Sequence, residues 1–389
     1  MSENVSKLLI PPRVYLGPRS LEMVKHAASD LRARKAFVVT DREVKGAGLL
    51  EQLLGKLDQA SIKYGVFDET EPEPTVKCIE DASAAMISFG KADVLMSLGG
   101  GSVMDTAKSA NIVAMNGGSI LDYEDGISAQ RKVRKLLPQV AIPTTAGTGS
   151  EATVWAVFID PERRFKTAVQ DPGLIPEYVV LDPEMSVTMP PKVTAATGMD
   201  ALTHAIEAYV CASPNPLTEA MAERAIKIVS ENLRVAVKRG RDLDARMNML
   251  LASYMAGVAF SNSSLGIVHT LAEAIGGYYR VPHGVTNSLM LPHVMEFNRS
   301  ARVAKFARIA ELMGQRRDMR GVQEQSLRAA QAARRLSKDI GMPQRLREVG
   351  VLVKDFPALL EIANKWANLS GNPREVTYEQ LEKLYNRAY

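Results

Sequence analysis

The sequence has little that would stabilise a small secreted protein. Its 389 residues include only two cysteines, Cys78 and Cys211, which lie far apart and show no CxxC spacing. This argues against a disulfide scaffold or a thiolate metal site and is typical of a reducing compartment. Acidic and polar residues occupy the N-terminus, where a signal peptide needs an apolar run. We therefore expect a cytoplasmic protein.

Long apolar runs and a strong excess of one charge are also missing. The longest uncharged stretch, residues 247–272, contains six Asn and Ser residues. These would be costly in hydrocarbon, so the stretch predicts buried helices. Lys and Arg number 48 against 44 Asp and Glu, and the basic run 131–135 has no interleaved aromatics. We expect neither a nucleic-acid nor a membrane partner.

The first half of the chain alternates strand-like runs with helical patterns. Four apolar runs predict strands: 35–40, 93–98, 138–142 and 178–181. Between them, residues 49–60 and 75–91 carry apolar residues at helical spacing. Near-continuous apolar strands that alternate with helices indicate a parallel sheet covered on both faces.

From about residue 189 the strand-like runs largely disappear. Helical patterns follow at 194–210, 216–238, 242–260, 267–275, 303–313, 322–340, 355–367 and 378–387. We therefore predict an α/β domain over 1–188 and an all-helical domain over 189–389.

A glycine-rich turn follows the second predicted strand. Gly99, Gly100 and Gly101 let backbone N–H groups approach a ligand with no Cβ in the way. Ser102 is the predicted N-cap of the next helix, with Asp105 at capping-box spacing. The helix N-terminus would then face a diphosphate in the turn. The alternative is a tight strand-to-helix turn without a ligand.

A second polar turn, residues 143–150, follows the next strand and offers the hydroxyls of Thr144, Thr145 and Thr148. Two such turns at the carboxyl ends of parallel strands favour a nucleotide. Asp41 closes the first strand, where it would accept hydrogen bonds from ribose hydroxyls and repel a 2′-phosphate. This favours NAD over NADP.

Histidines and one aspartate of the second half suggest a metal site. Asp200 and His204 lie four residues apart, so a helix presents both on one face. His269 begins another helical run, and His283 follows fourteen residues later at a predicted turn. Three imidazoles and a carboxylate suit Fe²⁺, Zn²⁺, Ni²⁺ or Mn²⁺. The alternative for each histidine is a hydrogen-bonded helix residue. We treat His26, which lies beside Lys25 on an apparently exposed helix, as structural.

Together these motifs resemble the iron-containing (group III) alcohol dehydrogenases. The matching segments are GGGSVMDTAK at 99–108, PTTAGTGSE at 143–151, MPPKVTAATGMDALTHAIEAYV at 189–210 and GIVHTLAEAIGGYYRVPHGVTNSLMLPHVMEFN at 266–298. The resemblance implies a Rossmann-like α/β domain that binds NAD and an all-α metal domain of the dehydroquinate synthase-like fold.

By position, the resemblance also implies roles for particular residues. Asp200, His204, His269 and His283 match the family's metal ligands, with Fe²⁺ the expected ion and Zn²⁺ or another divalent ion the alternative. The glycine turn, Asp105, the three threonines and Lys166 match its cofactor contacts. The implied reaction moves a hydride between NAD and a short primary alcohol or aldehyde, in a homodimer.

Three positions depart from the family pattern. Glu273 stands where many members have a histidine, so it either relays a proton itself or shapes the pocket. Trp155 replaces a smaller polar residue. Arg280 often corresponds to Asn, and it is either a surface residue or a partner for an anionic substrate tail.

Two rival functions remain open at this point. The resemblance extends distantly to glycerol dehydrogenases and dehydroquinate synthases, which use the same architecture for other reactions. A non-catalytic assembly protein is the second rival. An intact metal quartet and an intact cofactor turn in one chain argue against it.

Overall fold

A computed structural model describes residues 7–124, 131–163, 165–364 and 367–389. The strands are β1 (Arg13–Leu16), β2 (Lys35–Val39), β3 (Lys63–Phe67), β4 (Val94–Gly99), β5 (Gln139–Pro143), β6 (Trp155–Asp160), β7 (Phe165–Gln170) and β8 (Tyr178–Leu181). The helices of the first half are α1 (Val24–Asp30), α2 (Arg42–Gly46), α3 (Leu49–Gln59), α4 (Val76–Phe89) and α5 (Gly101–Asn116). Those of the second half are α6 (Pro191–Val210), α7 (Pro216–Lys238), α8 (Leu243–Ser261), α9 (Ile267–Tyr279), α10 (His283–Asn298), α11 (Val303–Leu312), α12 (Val322–Asp339), α13 (Phe356–Ala363) and α14 (Tyr378–Ala388).

Six strands form one parallel sheet in the order β1-β8-β5-β4-β2-β3. The four strands predicted from sequence are its four central ones, and every residue of β4, β5 and β8 is buried. The two edge strands, β1 and β3, were not predicted. Both are largely exposed or half-buried, so they lack the continuous apolar run that marks a central strand. The parallel α/β fold class of the first half is confirmed.

The remaining two strands, β6 and β7, pair as an antiparallel hairpin outside the sheet. Their buried and half-buried residues alternate along β6, which is the pattern of a strand with one face against the core. The hairpin was also missing from the sequence prediction. It matters because β7 carries Lys166.

The described residues separate into two compact units. One comprises Leu9–Thr145 with Gly149–Met189 and contains both sheets. The other is helical and comprises residues 7–8, Ala146–Thr148 and Pro190–Tyr389. The predicted helices of the second half are present with ends shifted by a few residues, and α10 is an addition to them. The end of the predicted helix 355–367 lies partly outside the described residues.

Helix α6 is the centre of the helical unit. Fifteen of its twenty residues are buried, because α7, α8 and α10 all pack against it. A helix that is buried nearly all round brings polar side chains into the interior only where they have partners. Asp200, His204 and Glu207 are such polar side chains. Within the described chain, no helix combines the length and apolar character needed to cross a bilayer.

Candidate metal centre and cofactor turn

Four side chains of the helical unit converge on one point. Asp200 and His204 come from α6, His269 from α9 and His283 from α10, and one ligand atom of each lies within 4.8 Å of the others. Asp200 Oδ1 is 3.6 Å from His283 Nε2 and 3.9 Å from His269 Nε2. Asp200, His204 and His269 are buried, and His283 is partly exposed. The arrangement is a compact group of potential metal ligands.

The placement of His283 depends on close helix packing. His283 is the first residue of α10 and Pro282 is its N-cap, so the expected turn at His283 is wrong: the helix begins there. Proline suits this position because its fixed backbone angle precedes a helix without strain. Gly284 packs on α6, where an added Cβ would lie 2.1 Å from the carbonyl oxygen of Ala196. Only glycine allows α10 to start this close to Asp200 and His204.

Two hydrogen bonds orient the imidazoles of the group. His269 Nδ1 lies 2.5 Å from Glu207 Oε2, and the other oxygen of Glu207 accepts the Val268 N–H at 2.7 Å. His204 Nδ1 lies 3.3 Å from the carbonyl oxygen of Gly147. When Nδ1 donates to such an acceptor, the Nε2 lone pair is left for a metal ion. Sequence reasoning missed Glu207; its one local signal was the position three residues after His204 on α6.

The pKa values of these groups reflect burial and their mutual contacts. Burial lowers the pKa of His204 to about 3, so this imidazole is neutral at physiological pH. Burial opposes charge on His269 too, but the bond to Glu207 raises its pKa. Burial alone would raise the pKa of Asp200, yet the three imidazoles hold it below its ordinary value. A neutral imidazole and an ionised carboxylate are the forms that bind metal ions.

Asn287 provides a test of whether the group fits a cation. Its buried Nδ2 lies 2.7 Å from Asp200 Oδ1, 3.2 Å from His269 Nε2 and 3.0 Å from His283 Nε2. An amide NH₂ has two hydrogens and cannot donate to three acceptors at once. Three lone pairs therefore converge here with fewer donors than they need. The residues fit a divalent ion.

In the α/β unit, the glycine-rich turn begins α5 without a side-chain cap. Gly100 is the N-cap, so the expected N-cap role of Ser102 and its capping box with Asp105 are wrong. The extended backbone of Gly100 starts the helix directly after β4, which places Ser102 inside its first turn. Ser102 Oγ instead accepts the Glu73 N–H, and Asp105 accepts the Ser150 hydroxyl. The N–H groups of the first turn remain for a ligand.

The second polar turn lies beside the first. The Thr144 N–H donates to the Gly99 carbonyl at 3.0 Å. Thr145 packs so closely on Gly100 that an added Cβ would lie 3.1 Å from its Oγ1. Thr148 belongs to the helical unit. These contacts place Thr144 and Thr145 next to the start of α5.

Asp41 and Lys166, the other two predicted cofactor contacts, already have protein partners. Asp41 is the N-cap of α2 and accepts the Val44 N–H at 2.7 Å. Lys166 pairs with Glu73, with 2.7 Å between Nζ and Oε2.

Lys108, the last residue of the segment 99–108, links the two turns, a role that the sequence did not predict. Its fully buried Nζ donates to the carbonyl oxygens of Ser150, Thr153 and Trp155 at 2.6, 2.8 and 3.0 Å. Burial lowers its pKa to about 8. Because Lys108 lies on α5, these bonds hold the segment after the second turn against the helix of the first.

Glu151 beside this lysine predicts a pH-dependent stability. The side chain is 2% exposed, and burial raises its pKa to about 7. The folded protein therefore holds a proton that the unfolded chain releases near pH 4.5, and stability falls as pH rises between these values. Glutamine has no proton to lose, so the stability of Glu151→Gln relative to wild type should increase with pH. We expect the difference in the free energy of unfolding between the variant and wild type to be about 1 kcal/mol or more larger above pH 7 than at pH 5, since one pKa unit corresponds to about 1.4 kcal/mol.

Denaturant unfolding across this pH range measures the effect. Glu80→Gln removes an exposed carboxylate of the same unit and serves as the control. Its free energy of unfolding should differ little from that of wild type, and the difference should not change with pH. A stability difference for Glu151→Gln that does not change with pH would contradict the assignment.

Comparisons with known proteins cover nearly the whole chain. A family model described as iron-containing alcohol dehydrogenase matches residues 11–183, and the model of the C-terminal domain of the Fe-containing alcohol dehydrogenase family matches residues 194–389. The NAD-dependent methanol dehydrogenase of Bacillus methanolicus is 38% identical over 99% of this chain and 100% of its own length. The lactaldehyde reductase of Escherichia coli is 38% identical over 92% of each chain.

A solved structure gives the same result for the fold. The crystal structure of a 1,3-propanediol oxidoreductase superposes with a TM-score of 0.95 at 38% identity, covering 99% of this chain and 100% of that one. Family models on both halves and a full-length structural match agree with the fold described above.

Proposed function

The chain belongs to the iron-containing alcohol dehydrogenase family, and on that premise we propose that it is an Fe²⁺-dependent, NAD-linked dehydrogenase of short primary alcohols. It is an enzyme, an oxidoreductase of the alcohol dehydrogenase class. In this proposal residues 1–188 bind the dinucleotide and residues 189–389 bind the metal and the substrate. The observation that carries the proposal is the convergence of Asp200, His204, His269 and His283 within 4.8 Å.

These four side chains would hold the metal, and their neighbours prepare them for it. A divalent ion bound there would supply Lewis acidity at the substrate oxygen, and a bound dinucleotide would supply the hydride-transfer chemistry. Asp200 contributes the one negative charge of the set. Glu207 and the Gly147 carbonyl accept hydrogen bonds from Nδ1 of His269 and His204, which leaves the Nε2 atom of each imidazole to face a metal ion.

Support for the dinucleotide comes from the α/β unit. The first turn of α5 has N–H groups without a side-chain cap, and the positive end of its helix dipole favours a diphosphate. The proposed cofactor contacts are Asp41, Gly99, Gly100, Gly101, Ser102, Asp105, Thr144, Thr145, Thr148 and Lys166. Asp41 is expected to select NAD over NADP, because its carboxylate would repel the 2′-phosphate of NADP.

The role of Glu273 is proposed from its distance to a ligand. Its Oε1 lies 3.6 Å from His283 Nδ1, so it shapes the surroundings of this imidazole and is a candidate proton carrier. Arg280 ends α9, is exposed and adopts a left-handed backbone conformation. That position favours a surface residue, and a preference for substrates with an anionic tail stays a prediction.

We also propose a homodimer in the reducing cytoplasm. Both cysteines are buried and unbridged, which suits a compartment where thiols stay reduced. The homodimer follows from the family resemblance.

Metal removal tests the proposed function. The full chain, dialysed against a chelator, is expected to lose NADH formation with short primary alcohols. Added Fe²⁺ should restore most of it, because the four ligands remain in place. An equal rate before and after chelation, with metal analysis confirming removal, would contradict the metal role. Absence of NADH formation with every short alcohol on Fe²⁺-loaded enzyme would contradict the proposed reaction.

A further inference from the structure

Glu73 lies beside the first turn of α5 and has an unusual backbone conformation. Its φ of 57° is in the left-handed region, which costs free energy for a residue with a Cβ and favours Asn or Gly. Its N–H donates to Ser102 Oγ at 3.2 Å, and the carbonyl oxygen of the next residue, Pro74, accepts the Ile159 N–H at 2.8 Å. Contacts on both sides thus hold Glu73 in this conformation. Strain of this kind is concentrated at functional sites.

The carboxylate of Glu73 pairs with a lysine that is mostly withdrawn from water. Glu73 Oε2 lies 2.7 Å from Lys166 Nζ, and the exposed fractions of the two side chains are 41% and 12%. The carboxylate is therefore the more solvent-accessible of the two charges. The Glu73 N–H donates to Ser102 Oγ in the first turn of α5 at 3.2 Å, so the backbone that carries this carboxylate lies beside the turn.

The two charges have opposite consequences for a phosphate-bearing ligand. A dinucleotide carries two negative charges on its diphosphate, so Lys166 attracts it and Glu73 repels it. Glu73 also neutralises Lys166 as long as the pair is intact. Removing the carboxylate acts in one direction through both effects, since it deletes a repulsion and removes a neutralising partner of Lys166.

We propose that Glu73 competes with the bound dinucleotide for Lys166, and thereby weakens cofactor binding and speeds cofactor release. The inference rests on the proposed function, since it takes the α5 turn as the cofactor site. Glu73 is in this view a positioning residue that acts through Lys166. Its strained backbone keeps the carboxylate beside the turn.

A double-mutant cycle on the Fe²⁺-loaded full chain tests this. NADH dissociation constants are measured for the wild type, Glu73→Gln, Lys166→Met and the double variant. We expect Glu73→Gln to bind NADH about three- to tenfold more tightly at low salt, with the gain shrinking at high salt because charges are screened. In the Lys166→Met background the same change should tighten binding by a smaller factor, since only the deleted repulsion remains and no ammonium group is left to attract the diphosphate.

Two further variants separate charge from conformation. Glu73→Asn also removes the charge but suits the left-handed backbone, so it should match Glu73→Gln in affinity while raising the melting temperature. Glu71→Gln removes a carboxylate two residues away that accepts the Thr75 hydroxyl, and it should leave NADH affinity within about twofold.

The outcomes distinguish this inference from the proposed function. Wild-type protein that binds no NADH overturns both. If the wild type binds NADH normally and Glu73→Gln weakens this binding, the inference alone is overturned. The same holds if Glu73→Gln tightens NADH binding equally with and without Lys166. A gain in NADH affinity that appears in Glu73→Asn but not in Glu73→Gln would assign the effect to the backbone conformation and would also overturn the inference.

Discussion

Asp200→Ala is expected to lose bound metal and catalytic turnover together. Asp200 is the one anion among the four ligand groups and is 2% exposed, so its loss removes the negative charge of the set from a site withdrawn from water. Its Oδ1 also accepts from Asn287 Nδ2 at 2.7 Å, and that contact disappears with it. Lewis-acid stabilisation is worth several kcal/mol, and each 1.36 kcal/mol is tenfold in rate. We therefore expect kcat/KM with alcohol and NAD to fall by about 10³-fold or more.

Metal content per chain and NADH formation are measured on the same preparation of this variant. Asp244→Ala removes an exposed carboxylate in the first turn of α8, within the same unit, and should retain both properties. A circular dichroism melt checks that Asp200→Ala is folded. Stoichiometric metal and normal turnover in folded Asp200→Ala would remove this residue from the ligand set.

Glu207→Gln is expected to weaken metal binding by about 10- to 100-fold, the usual effect of losing an outer partner of a metal ligand. The carboxylate accepts two hydrogen bonds, from Val268 N–H and from His269 Nδ1. Glutamine has the same shape but one acceptor oxygen, so its NH₂ would face one of these two donors. Where the NH₂ faces Nδ1, the imidazole of His269 loses the contact that keeps its proton on that nitrogen.

Competition with a metal indicator gives the dissociation constant, and turnover is measured at saturating Fe²⁺. We expect affinity to fall further than kcat, because excess metal still fills the site. Glu223→Gln is the matched control: it makes the same change in a carboxylate that accepts the Tyr209 hydroxyl at 2.6 Å. Equal metal affinity in Glu207→Gln and wild type would leave Glu207 with a packing role only.

Local sequence signals predicted much of the fold. The four central strands have continuous apolar runs, because both of their faces are covered, and such runs are visible without a structure. The edge strands β1 and β3 are half-exposed and were missed for the same physical reason. Helix α10 was missed because it is buried nearly all round and contains Pro292, so it shows neither a clear stripe nor a helix-favouring interior.

The cap of α5 shows where local rules fail. Ser102 and Asp105 have the spacing of a capping box, but three glycines allow the helix to begin two residues earlier than an N-cap at Ser102 would require. Both side chains then find partners distant in sequence, Glu73 and Ser150. A spacing rule considers only neighbours along the chain, and tertiary partners overrode it here.

The sequence by itself determined the α/β and helical halves, the helical spacing of Asp200 and His204, and the glycine-rich turn, since each depends on residues a few positions apart. Tertiary structure alone decided that α6, α9 and α10 bring four ligand groups within 4.8 Å. It also decided that Glu207 holds His269, that Lys108 holds the second turn, and that Glu73 pairs with Lys166. These partners are separated by 42 to 93 positions, and hydrogen bonds and ion pairs over such separations depend on how whole helices and strands pack.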